Sequence, residues 1–71
     1  MEDVALLASL LTRINENQLA LGAAVEELAV WVEQRGSTEV ANNVRAALET
    51  LDQNAGFISL ALISLKAEGN L

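Results

Sequence analysis

VALLASLLTRINENQLALGAAVEELAVWV, residues 4–32, is the stretch that decides the fold. Alternate steps of three and four residues select Val4, Leu7, Leu11, Ile14, Gln18, Leu21, Val25, Leu28 and Val32, a heptad seam whose one polar member is Gln18. A seam of this period belongs to an amphipathic helix lying along a second helix. Asn15, Asn17 and Gly22 are weak helix formers, Gly costing about 1 kcal/mol relative to Ala. The seam nevertheless keeps its phase from Ile14 to Leu21, as a continuous helix requires and a loop does not. One helix over about 3–35 is predicted, with Asp3 as its N-cap and Glu2 and Asp3 suited to the positive end of its dipole.

Outward from that helix, Arg35 supplies a cation for its last turn and Gly36 a residue able to adopt the left-handed conformation past its C-terminus. Ser37 or Thr38 then caps a second helix over about 38–67, with Glu39 in its first turn and Lys66 and Gly69 as stop signals. So short a connection sends the second helix back antiparallel to the first. Its seam is Ala41, Val44, Leu48, Leu51, Ala55, Ile58, Leu62 and Leu65. Gln53-Asn54-Ala55-Gly56 is the place where this helix is open to a break, since its Asn and Gly can end one helix and let another start at Phe57. The expected fold is all-α: a single helical hairpin over residues 1–71, dimerising into a four-helix bundle.

Composition supports that class. Seventy-one residues suffice for one small domain, and without a Cys or His neither a disulfide nor the usual zinc site is open to it. Pro is absent, and the aromatic residues are Trp31 and Phe57 alone. The net charge of −6 disfavours nucleic acid and anionic lipid as partners. The apolar runs 4–11 and 57–65 fall short of the roughly 20 residues that span a bilayer as a helix. The acidic start Met1-Glu2-Asp3 lacks the positive charge of a secretory signal. A cytoplasmic protein, with no membrane partner, is expected.

The sixteen apolar seam residues are expected to cover one another within the hairpin. Eleven large apolar residues remain outside the seam: Met1, Leu6, Leu10, Leu19, Val30, Trp31, Val40, Phe57, Leu60, Ile63 and Leu71. In an antiparallel pair, one flank of the seam combines Leu6, Leu10, Ala20, Ala24 and Trp31 of the first helix with Val40, Ala47, Phe57 and Ala61 of the second. The other flank carries Glu26, Glu33, Arg45, Glu49, Asp52 and Lys66 and is read as solvated. An apolar strip of such length needs cover, and a second copy is the simplest partner. The run FISLALISL at 57–65 is apolar on nearly every side. It belongs either at the centre of the dimer or, through Leu60 and Ile63, to a groove for another protein's helix.

Halfway along the hairpin, Gln18 is expected opposite Ala55, with Asn15 and Asn54 beside it, making a polar waist. A lone polar residue in a seam commonly sets register or oligomeric state; a ligand or partner site at the waist is the other reading. No catalytic residue, cofactor or metal site is proposed, because no combination of nucleophile, base or ligands is spaced for one. Ser59 and Lys66 stand two helical turns apart, too far for a direct hydrogen bond.

The expected function is therefore a non-enzymatic protein-protein interaction module, an adaptor, small chaperone or regulatory subunit acting as a homodimer. The shape is similar to that of the small acidic helical-hairpin co-chaperones of bacterial secretion systems, a likeness of architecture without a shared motif. The alternative is an acidic inhibitor that presents Glu26, Glu27, Glu33, Glu39, Glu49 and Asp52 to a basic protein surface. Small-ligand binding at the polar waist around Gln18 comes third.

Overall fold

A computed structural model describes residues 2–69. Met1 and Leu71, counted above among the apolar residues outside the seam, lie outside the described residues. The fold is all-α and consists of two helices, α1 (Glu2–Gln34) and α2 (Thr38–Gly69), packed side by side as a hairpin. The molecule measures 54 × 15 × 10 Å, one helix long and two helices wide. The N-cap expected at Asp3 is displaced: α1 already includes Glu2, so Asp3 stands within its first turn. Arg35 likewise falls just beyond α1 and not within its last turn.

The reversal is built by Gly36. Its φ of 96° lies in the left-handed region, where any side chain other than hydrogen is strained. The Gly36 amide donates to the Glu33 carbonyl at 2.9 Å and the Ser37 amide to the Val32 carbonyl at 3.2 Å. These two bonds make a Schellman motif and satisfy carbonyls that the helix end would leave open. The Ala41 amide then donates to the Ser37 carbonyl at 3.1 Å, which makes Ser37 the residue from which α2 starts. Only three residues separate the helices, and their axes are held close from the turn onward.

α2 runs unbroken through Gln53-Asn54-Ala55-Gly56. Asn and Gly lower helix propensity without preventing a helix that tertiary packing supports on either side. The predicted α2 seam is the observed one except at Leu51, which is 37% exposed: Ala41, Leu48 and Leu62 are buried, and Val44, Ala55, Ile58 and Leu65 are half-buried.

α1 is turned about its axis relative to the expectation. Val4, Val25 and Val32 face α2 as predicted, but between them the buried positions are Ala8, Asn15 and Ala29, with Gly22 half-buried. Leu7, Ile14, Leu21 and Leu28 point away, Leu28 with 61% of its surface exposed. The sixteen apolar seam residues therefore do not cover one another. The reason is the column Ala8, Asn15, Gly22, Ala29, one short side chain per heptad, which lets α2 approach more closely than a column of leucines would. Ala41 is wholly inaccessible, and a Cβ built on Gly22 would stand 3.9 Å from Leu48 Cδ2. The apolar core of the described residues is Ala8, Ala29, Ala41, Leu48 and Leu62, with no large side chain fully buried.

Candidate functional site

Rotation of α1 leaves its largest apolar side chains outside. Leu6, Leu7, Leu10, Ile14, Leu21, Leu28 and Trp31 are all exposed, and their spacing sets them in one strip down the flank of the helix. Of the residues expected on the apolar face, Leu6, Leu10 and Trp31 belong to this strip, with Ala20 and Ala24 along it. On α2, Val40, Ala47, Phe57 and Ala61 are exposed as well, Phe57 to 73%. Leu7, Ile14, Leu21 and Leu28, expected in the hairpin's interior, lie on this exposed face instead. The signal that places them outside is the adjacent column of small residues at 8, 15, 22 and 29.

Total accessible area agrees with an uncovered surface. The 7.5 kDa chain exposes 5515 Å². A compact monomer of that mass exposes about 4,200 Å², so the hairpin carries an excess of roughly 1,300 Å².

The guanidinium of Arg35 sits over the Trp31 ring, 4.8 Å from its centroid, and holds the indole at the turn end of the strip. An apolar groove of about 270 Å³ opens farther along, between Leu11 and Ile14 of α1 and Phe57, Ala61 and Leu65 of α2. Leu60 and Ile63, on the remaining side of α2, are exposed too.

The three waist residues come together at mid-length. Asn15, Gln18 and Asn54 line one groove of about 550 Å³ along with Gly22, Leu48 and Ala55, and Glu26 and Asp52 add carboxylates to its lining. Gln18 and Ala55 thus share a layer, as expected. The buried amide, however, is Asn15 and not Gln18: Asn15 is 8% exposed and its Oδ1 has no hydrogen-bond partner, whereas Gln18 is exposed. The turn of α1 that buries Ala8 and Ala29 also buries Asn15, two heptads from Ala29 and one from Ala8.

The charged flank forms as a cross-helix cluster. Arg45 of α2 makes two hydrogen bonds to Glu33 of α1 and lies 3.8 Å from a Glu26 oxygen. Hydrogen bonding to Arg45, reinforced by its positive charge, holds the Glu33 carboxyl below its ordinary pKa. Among the described residues, no cluster of carboxylates is placed to hold a metal ion, and no helix is long and apolar enough to cross a membrane. No protein-family model, curated protein or solved structure matches the chain.

Proposed function

We propose that the chain is a non-enzymatic protein-protein interaction module of the cytoplasm that works as a homodimer, two hairpins pairing their apolar flanks in a four-helix bundle. The observation that carries this reading is the uncovered strip from Leu6 to Trp31, set beside an interior of three alanines and two leucines. So small a core supplies little of the stability a free domain needs, whereas each Å² of apolar surface removed from water contributes about 25 cal/mol. Burying the strip is the largest stabilising step left to the chain. The decisive experiment is absolute mass by light scattering on a sizing column over a dilution series, with circular dichroism at each concentration. A helical dimer whose helicity falls as it dissociates supports the reading; a stably helical monomer refutes it.

A second reading, small-ligand binding at the waist, is favoured by the unpaired Asn15 oxygen in a groove that also holds Gln18 and Asn54. A ligand there would offer a donor to that oxygen. The acidic-inhibitor reading has less to support it, because Arg45 already engages Glu33 and approaches Glu26. Glu27, Glu39, Glu49 and Asp52 would remain to meet a basic partner.

A further inference from the structure

Two seams run along α1, and they share no residue. The inner one, Val4, Ala8, Leu11, Asn15, Gln18, Gly22, Val25, Ala29 and Val32, runs along the α2 side and is buried or half-buried except at Leu11 and Gln18, which are exposed and line the grooves between the helices. The outer one is Leu7, Leu10, Ile14, Asn17, Leu21, Ala24, Leu28 and Trp31, again in alternate steps of three and four, and every member is exposed. A strip that merely scattered apolar residues over a surface would not keep a heptad period over four repeats. The period marks a face shaped for a further helix lying alongside.

Accepting the homodimer reading above, we propose that this helix is α1 of the second copy, running antiparallel about a two-fold axis level with Leu19 and Ala20. In that register Leu7 stands opposite Trp31 of the second copy, Leu10 opposite Leu28, Ile14 opposite Ala24, and Asn17 opposite Leu21. The long Ile14 side chain meets the short Ala24, as interdigitating layers require. The residue preceding each first seam position forms the outer flank: Leu6, Arg13, Ala20 and Glu27. Antiparallel helices match this flank to itself. Ala20 therefore meets Ala20 on the axis, and Arg13 of each copy meets Glu27 of the other. Both charged residues are exposed and, among the described residues, neither has an ion-pair partner within the chain.

The parallel alternative fits worse. It stacks Trp31 on Trp31 and Ala24 on Ala24, a wide layer and a narrow one a single heptad apart, and sets Glu27 against Val32. Its advantages are an Asn17-Asn17 pair and apolar flank contacts of Leu6 with Leu11 and Ala20 with Val25. The antiparallel register offers the amides an equivalent outlet, since Asn17 and Gln18 of both copies gather around the axis and can bond to one another. Asn54, which lines the same mid-length groove as Gln18, is level with that axis on α2. Ala47 then faces Ala61 of the second copy across the bundle. The excess of roughly 1,300 Å² per chain is on the scale of obligate homodimers, which bury about 2,000 Å² or more in total.

The chain contains no cysteine, so a single introduced thiol is unique. Ala20→Cys and Leu6→Cys, each treated with a short bismaleimide, separate the arrangements. The expected result is an efficiently cross-linked Ala20→Cys dimer and no cross-link within the Leu6→Cys dimer, whose two thiols lie about 40 Å apart. Cross-linking of Leu6→Cys as efficiently as Ala20→Cys would establish parallel pairing and overturn the proposal while leaving the homodimer intact. A dimeric mass with neither variant cross-linked would show that α1 does not pair with α1. A helical monomer would refute the homodimer itself. As a second readout, Arg13→Glu and Glu27→Arg should each raise the dimer dissociation constant several-fold, and the double variant should bring it back. A double variant no better than the singles would remove the ion pair from the proposal.

Discussion

The guanidinium of Arg45 on α2 grips the carboxylate of Glu33 on α1 with both ends of its fork, Nη1 to Oε2 at 2.7 Å and Nη2 to Oε1 at 3.2 Å. A two-bond contact of this kind fixes orientation as well as distance. It joins Glu33, whose carbonyl closes the Schellman reversal, to Arg45 about two turns into α2, on the flank opposite the apolar strip. The pair thus ties the two helices to each other on that flank.

Stability should reveal this pair through its pH dependence. Glu33 has a depressed pKa in the folded chain, so its contribution is complete above the ordinary glutamate value of 4.5 and is lost as pH falls through the lower folded value. Arg45→Met should lower the urea midpoint at pH 6, and its difference from the parent should shrink toward pH 3. Comparison of the two proteins at each pH cancels the general relief of repulsion that protonation brings to a chain of charge −6. A difference that stays constant would mean that the contact is not made in solution.

The glycines at the turn and in mid-helix should respond in opposite senses. Gly36→Ala forces a side chain into φ 96° and is expected to cost about 1 kcal/mol or more. Gly22→Ala places its Cβ at an ordinary contact distance, 3.9 Å, from Leu48 Cδ2. It should stabilise by about 1 kcal/mol through helix propensity. Thermal midpoints of the two variants at one protein concentration check both signs.

Glutamate placed in the outer strip should disrupt assembly, and a polar residue on the far side of α2 should not. Leu21→Glu or Trp31→Glu buries a charge at the pairing face, at a cost of several kcal/mol, and is expected to yield an unfolded or aggregating chain. Leu60→Gln should leave mass and helicity unchanged, because Leu60 lies away from the flank that carries the strip. Light scattering with circular dichroism distinguishes them; a well-folded helical monomer of Leu21→Glu would remove the case for self-association.

Asn15→Ala should stabilise the protein. The substitution removes a buried oxygen that has no hydrogen-bond partner, a desolvation cost of about 1–3 kcal/mol, and keeps the column of small side chains that Ala8 and Ala29 continue. A higher urea midpoint is the expected result. An unchanged or lower midpoint would mean that a ligand or the second copy supplies a donor to Asn15 in the assembled protein.

Local chemistry made several features legible from the chain itself. Helical periodicity over 4–32 and 41–65, the left-handed glycine at 36 and the start of α2 after it depend on neighbours a few residues away, so the sequence carries them directly. The apolar flank with Leu6, Leu10, Trp31, Val40 and Phe57, and the meeting of Asn15, Gln18 and Asn54, followed from periodicity and the antiparallel return. What the sequence by itself determined was therefore two helices, their reversal and the seam of α2. Only the tertiary structure decided the rotation of α1. Hydrophobicity ranks Leu7, Ile14, Leu21 and Leu28 above Ala8, Asn15, Gly22 and Ala29, but a three-residue turn holds the axes close, and close helices pack best through small side chains. That preference belongs to the pair of helices and not to either alone, and it turned the leucines outward and Asn15 in.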